Sequence, residues 1–312
     1  MMASTIRHTA FTPRFTFLNL MKREKLPGWA LILPTLLIVA GVTLGPLLYA
    51  GWLSLHEVGL DIRANMHFVG LANYVDIVQS PTFRNATGRT LYFAVVSLAL
   101  QIPLGLAIAL LLNQSFHGRS IVRALILLPW AIPTIVNGAL WQWIYNASYG
   151  ALNGLLYQLG IIHAPVVWLG SASLAMNMVI LADTWKVLPY YAVLFLAGLQ
   201  TIPRDLYDAA SVDGASVIGK LRHVILPSLK PFLLVILIVR TMETFRVFDI
   251  IYMLTSGGPG GATTVIGYYT YQLTFLSLQF GYGSALSFTI GAVTLLIAIM
   301  YIRILRTEET LD

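Results

Sequence analysis

Six stretches of this chain are too apolar and too long to belong to a water-soluble fold. They run at about residues 29–55, 89–112, 121–145, 172–198, 229–254 and 283–305. The hydrocarbon core of a bilayer is roughly 30 Å thick, and a helix rising about 1.5 Å per residue crosses it in about twenty residues. No water reaches that depth, so a spanning segment must satisfy its own backbone hydrogen bonds, as a helix does. The pattern predicts an all-α polytopic membrane protein with six transmembrane helices. Charged residues make up 10% of the chain, where soluble domains carry roughly 25%. The first run is longer than the apolar core of a secretory signal (about 7–15 residues), which marks it as a retained span.

Basic residues set the expected orientation. With the N-terminus inside, thirteen fall on the cytoplasmic side: Arg7, Arg14, Lys22, Arg23, Lys25, Arg119, Arg123, Arg204, Lys220, Arg222, Lys230, Arg303 and Arg306. Three, Arg63, Arg84 and Arg89, fall outside. An excess of this kind places both termini in the cytoplasm. The expected organisation is a basic cytoplasmic segment at 1–28, a first helix and external segment at 29–88, a transmembrane core at 89–305 and a cytoplasmic tail at 306–312. The net charge of +6 does not point to nucleic acid, because the basic residues sit at segment ends and not in a stripe with aromatics. The chain has no cysteine, which excludes disulfides, thiolate zinc sites and thiol catalysis.

Between the fourth and fifth spans lies a polar, glycine-broken loop at 201–228. Pro203 suits a first helical position, and Leu206, Tyr207, Ala209 and Ala210 share one face. Gly214 permits a change of direction, and Asp213 is placed to cap a second helix. Val217, Ile218, Leu221, Val224 and Ile225 form the apolar stripe of that second helix, which is expected to stop before Pro227.

The pattern Asp208-Ala209-Ala210-x-x-Asp213-Gly214-Ala215, followed after nine residues by Ile225-Leu226-Pro227, resembles the EAA loop of ABC-importer permeases. Asp208 stands where that family usually has Glu. The resemblance implies a type I ABC importer transmembrane domain whose loop is a coupling helix, seated in a groove of an ATPase subunit. Gly214-x-x-x-x-Gly219-Lys220 matches most of a phosphate-binding loop, but Leu221 occupies the Ser/Thr position that would hold Mg²⁺. The chain is therefore expected to carry no cofactor, with ATP and Mg²⁺ held by the partner ATPase.

Two further stretches carry the same resemblance. Phe68-Val69-Gly70-Leu71-Ala72-Asn73-Tyr74 is similar to the F-x-G-L-x-N-Y stretch of sugar-importer permeases, and Arg240 to Pro259 resembles the fifth span of maltose-type permeases. The likeness covers about residues 68–303. It implies a bacterial or archaeal cytoplasmic (inner) membrane and a heterodimer with a second similar permease. It also implies an ABC ATPase dimer and an extracytoplasmic sugar-binding protein as partners.

Charges at membrane depth are costly and face a bundle interior or a wet cavity. Arg240–Glu243 and Arg246–Asp249 have i,i+3 spacing, so the four charges can neutralise pairwise, and Asp183–Lys186 has the same spacing on the fourth span. They can serve as internal ion pairs or as part of a pathway. Phe245, Phe248 and Tyr252 interleave with the outer pair, combining aromatic faces with hydrogen-bonding groups as sugar binding requires. The candidate pathway is Arg246, Phe248, Asp249 and Tyr252, joined by Asn137 and Trp141 on the third span. Pro129 and Pro133 favour a kink in that span.

Other solutes and classes remain open at this point. Lys186, Arg240 and Arg246 would suit an ABC permease for glycerol phosphate or another small solute. An ion-coupled secondary transporter could use Asp183, Glu243 and Asp249, but six spans without an inverted repeat fit that class poorly. An intramembrane enzyme lacks a nucleophile arrangement or a metal motif, since the six histidines fall in loops or at edges.

Overall fold

The computed structural model describes residues 28–58 and 66–307. The basic segment ahead of Gly28, Arg63 and the tail after Thr307 lie outside the described residues. Contacts divide the chain into a unit ending at Trp52 and a unit beginning at Leu53.

The described part of the first unit is helical: α1 (Gly28–Val39), a π-helical turn at Ala40–Leu44, then α2 (Gly45–Ser54), whose end carries into the second unit. No side chain from Ile32 to Trp52 is buried, and Ile38 and Val42 are about two-thirds exposed or more (67% and 72%). The π turn sits just ahead of Pro46, which has no N–H to give to the preceding turn; a wider turn re-registers the helix around it.

The second unit opens with a two-stranded antiparallel ribbon, β1 (His56–Glu57) and β2 (His67–Phe68), with His56 opposite Phe68. The F-x-G-L-x-N-Y stretch has a structural task here. Asn73 Nδ2 donates to the Ser54 and His56 carbonyls at 2.9 and 3.0 Å, and the Tyr74 hydroxyl donates to Ser54 Oγ at 2.8 Å. These bonds hold α3 (Ala72–Gln79) against the end of α2.

Next comes α4 (Pro81–Asn113), which starts ahead of its apolar run because Ser80 caps it and Pro81 takes the first helical position. The third run is α5 (Arg119–Ile126), α6 (Leu128–Ala131) and α7 (Thr134–Ile144). The expected kink is a full break: Ile132, ahead of Pro133, is extended, and the two halves meet at 92°. Then follow α8 (Ala151–Gln158) and α9 (Ala172–Thr201).

The loop region holds α10 (Arg204–Val212), α11 (Val217–Lys220), a π turn at Leu221–Ile225 and α12 (Leu226–Ser228). The second helix was expected to stop before Pro227. It runs past Ile225 instead, because the π turn absorbs the missing proline N–H much as it does near Pro46. A 65° bend then leads into α13 (Lys230–Phe245).

The fifth run does not continue as one helix to 254. Thr244 Oγ1 bonds back to the Arg240 carbonyl at 2.8 Å, and the last turn tightens, with Arg246 and Val247 donating three residues back. Phe248 leaves helical geometry (φ −140°, ψ −58°) and α14 (Asp249–Leu254) starts afresh. The chain ends with α15 (Ile266–Tyr271), a π turn at Gln272–Leu276 and α16 (Phe280–Thr307). Among the described residues four helices are long and apolar enough to cross a membrane, and the two bent pairs bring the number to six.

Packing centres on α4 and α9. Near the α10–α11 loop, Ala109 and Leu112 of α4 meet Tyr191, Phe195 and Leu199 of α9, with Ile225, Leu229 and Ile236 closing the cluster. Towards the other end, Phe93 meets Met176, Val179 and Ile180, with Ile250, Ile251 and Leu254 of α14. A β-carbon at Gly138 would sit 2.7 Å from Met253 Cβ, so only glycine lets α7 approach α14 this closely. In lipid, such contact, more than exclusion of water, holds helices together.

Candidate functional site

A polar node lies on α4 between the two apolar clusters. Gln101 is fully buried, and its Nε2 donates to Asp183 Oδ2 at 3.3 Å and to Thr184 Oγ1 at 3.1 Å. Asp183 Oδ2 also takes a hydrogen bond and ion pair from Arg240 Nη2, which joins α9 to α13. Arg240 lies over the Phe93 ring, 5.7 Å from its centre. Its Nη1 is 3.8 Å from Glu243, and Tyr191 donates its hydroxyl to Glu243 Oε2 at 3.2 Å.

The sequence pairing is thus corrected. Asp183 is neutralised across helices by Arg240 and not by Lys186 on its own helix, because Asp183 and Arg240 both face the α4–α9–α13 seam. Arg240–Glu243 keeps its i,i+3 proximity. Between Arg246 and Asp249 the helix breaks, and among the described residues no ion pair joins them.

These charges line one cavity of about 570 Å³. Asp183, Glu243 and Asp249 supply three carboxylates to its wall, and Lys186, Arg240 and Arg246 supply three cations, so its formal charge is balanced. Phe248 and Trp130 add aromatic surface. Asp183 and Arg240 are enclosed, whereas the Glu243 side chain is half exposed and remains able to accept hydrogen bonds.

Phe248 also begins an aromatic array. Its ring lies 4.6 Å from Tyr271, 5.4 Å from Tyr252 and 6.1 Å from Tyr268, and Tyr271 continues the series to Phe275 at 5.7 Å. Tyr252 is 42% exposed. Of the sequence candidates, Arg246, Phe248 and Asp249 share the cavity, and Tyr252 joins through Phe248.

Asn137 and Trp141 sit behind this wall. Asn137 is fully buried and donates to the Ala182 carbonyl at 3.2 Å, tying α7 to α9 beside Asp183. Trp141 packs edge-on to Trp185 at 5.8 Å and against Tyr145 at 5.0 Å. Gln101, Tyr268 and Tyr271 were missed. A lone amide in an uncharged apolar run is itself a signal at membrane depth. The tyrosines belong to the run Tyr268-Tyr269-Thr270-Tyr271, outside the six apolar stretches.

The second site is the α10–α11 loop. Ala215 N–H bonds to the Ala210 carbonyl at 2.9 Å and Gly214 N–H to Ser211 at 3.1 Å, with Gly214 left-handed at φ +72°. This is a Schellman termination, for which glycine is the favoured residue. Asp213 ends α10, and Ser216 caps α11, its Oγ accepting from Gly219 N–H at 3.1 Å. That corrects the expected Asp213 cap; the left-handed turn carries Asp213 out of capping position. Lys220 Nζ bonds to Ser211 Oγ at 2.7 Å across the turn.

The expected stripe divides. Leu221, Val224 and Ile225 pack into the core, whereas Val217 and Ile218 are 85% and 76% exposed; Val212, at the end of α10, is 88% exposed beside them. Asp208, Ala209, Asp213 and Gly214 are exposed around them. Burial against the inner cluster pushes the Tyr207 phenol above its ordinary range.

A helical bundle with broken spans, an open charge-balanced cavity and an exposed capped loop at one end fits a membrane transport subunit. Residues 101–307 match the family described as "Binding-protein-dependent transport system inner membrane component". The chain belongs to that family: it is a multi-pass inner-membrane permease subunit of a binding-protein-dependent ABC transporter, a transport component and not a catalytic one.

It is 42% identical to the trehalose/maltose transport system permease protein MalF of Thermococcus litoralis, over 92% of this chain and 96% of that protein. It is 35% identical to the sulfoquinovosyl glycerol transport system permease protein SmoG of Agrobacterium fabrum, over 92% of each. Identity to the trehalose transport system permease protein SugA of Mycobacterium tuberculosis is 34%, over 97% and 96%. The fold matches a chain of a bacterial ABC transporter involved in import of the acidic polysaccharide alginate, with a TM-score of 0.78 at 23% identity, covering 94% of this chain and 99% of that one.

Proposed function

We propose that this chain forms, with a second similar permease, the membrane pathway for a neutral sugar or glycoside delivered by an extracytoplasmic binding protein. The observation that carries the proposal is the balanced cavity. Glu243, Asp249, Lys186 and Arg246 give donors and acceptors for hydroxyl groups, the enclosed Asp183–Arg240 pair cancels itself, and Phe248 brings an aromatic face to the same wall. Such a lining suits a polyol better than an anion. The sugar names carried by the Thermococcus and Mycobacterium relatives point the same way.

In this reading both termini and the α10–α11 loop face the cytoplasm. An ATPase dimer binds there, holding the ATP and Mg²⁺. Exposed Val212, Val217 and Ile218 supply the apolar contact, with Asp208, Ala209, Ala210, Asp213, Gly214 and Ala215 at the interface. Closure of the ATPases around ATP draws the loops together, and α12 and α13 carry the motion to the cavity wall formed by Arg240 and Glu243.

The test is ATP hydrolysis by the reconstituted transporter with its binding protein, across trehalose, maltose, glycerol phosphate and an acidic sugar. Stimulation and uptake confined to neutral saccharides are expected. Selective stimulation by the anions overturns the substrate class, and uptake by the purified chain without ATP overturns the assembly.

A further inference from the structure

We propose that Arg84 and Arg89 hold the phosphate of an anionic phospholipid, in a cavity at the end of the bundle opposite the α10–α11 loop. The cavity is about 610 Å³ and is lined from α4 by Arg84, Asn85, Gly88, Arg89 and Tyr92. Ala172, Ser173 and Met176 of α9 and Ala262 complete it. No carboxylate lines it, and among the described residues neither guanidinium is in an ion pair. Two cations without a protein counter-charge line one open cavity, which leaves their donors free for an incoming anion.

The level of the site favours a headgroup. From Leu91 to Leu112 α4 carries no charged residue. That stretch of 22 residues is about 33 Å long, close to the thickness of the hydrocarbon core. Arg89 therefore falls at the boundary where phosphates lie, and Arg84 one turn or so beyond it. The face that carries the cavity continues below it as exposed apolar surface, with Tyr92 and Val95 at 46% and 65% exposure following Arg84 and Gly88 at helical spacing. An acyl chain can lie along this face while its phosphate meets the arginine forks. The guanidinium suits bidentate phosphate contact better than an ammonium does.

The purified transporter, with its partner subunits, is titrated in detergent with dioleoylphosphatidylglycerol or dioleoylphosphatidylcholine, and retained lipid is counted by native mass spectrometry. Wild type is expected to retain phosphatidylglycerol preferentially. Arg84→Gln/Arg89→Gln is expected to lose it by about thirtyfold in affinity, and Arg84→Lys/Arg89→Lys to retain part of it. Because Arg84 is exposed, Arg84→Gln alone tests the site with packing undisturbed, and it should weaken retention severalfold. Equal retention by wild type and both Gln variants overturns the proposal. So does unchanged retention with weakened binding-protein affinity, which assigns the arginines to protein docking. The readout is independent of the transported solute, so failure here leaves the proposed function standing.

Discussion

Asp183 of α9 and Arg240 of α13 form an ion pair enclosed by protein, with side-chain exposures of 6% and 3%. Removing one partner strands the other charge inside the bundle, at a cost of about 3–5 kcal/mol, whereas replacing both with apolar groups is far milder. Arg240→Leu is therefore expected to lower the melting temperature of the purified transporter sharply, and Asp183→Leu/Arg240→Leu to recover most of it. A single variant as stable as wild type, or a double variant no better than the single, removes the pair from its anchoring role.

Phe248 joins the cavity to the aromatic array, and Tyr252 lies beside it with 42% of its surface exposed. Alanine at either position removes a ring face worth ~0.5–1.5 kcal/mol to a partner, or roughly two- to twelvefold. Sugar uptake should fall by about that factor, with assembly and basal ATPase activity retained. Normal uptake in both variants, or loss of assembly, returns these rings to a packing role.

The proposed orientation has its own measurement. A tag fused after Asp312 should resist protease added to spheroplasts and be cut only after lysis. Cleavage in intact spheroplasts reverses the topology.

Long-range apolar patterning made the spans legible, because a run of about twenty residues fixes a crossing helix whatever its neighbours are. The breaks were less so. Pro129 and Pro133 announced a bend but not 92°, and the interruption at Arg246–Phe248 has neither proline nor glycine to mark it, so no periodicity displays it. Spacing within one helix suggested Lys186 as the partner of Asp183. The actual partner lies 57 residues away, and only the packing of α9 against α13 reveals it. Pattern alone brought Arg246, Phe248 and Asp249 together, since they are near neighbours in the chain and the break leaves them on one wall. Tyr268 and Tyr271 reach the array from α15, through a fold contact the sequence does not encode locally.

Gly214 offers a way to separate backbone geometry from docking. Its φ of +72° penalises most side chains, yet a β-carbon there would meet nothing within 4 Å in this chain. Beyond the backbone strain, a β-carbon at this position therefore meets no obstacle within the chain. Asn tolerates the left-handed conformation, so Gly214→Asn keeps the Schellman turn at little backbone cost, whereas Gly214→Ala strains it by about 1 kcal/mol without adding bulk. If the turn is docked closely on the ATPase, Gly214→Asn and Gly214→Asp should insert normally while losing ATPase binding or sugar-stimulated hydrolysis, and Gly214→Ala should be milder. If Gly214 serves only the turn, the order changes: Gly214→Asn matches wild type and Gly214→Ala is the worse of the two. Ile218→Asp supplies an independent check. Its side chain is 76% exposed and contributes little to folding of this chain, so loss of the ATPase subunit on purification would come from the interface itself. Full copurification and coupling in Ile218→Asp, together with wild-type behaviour of Gly214→Asn, would move the docking surface away from this loop.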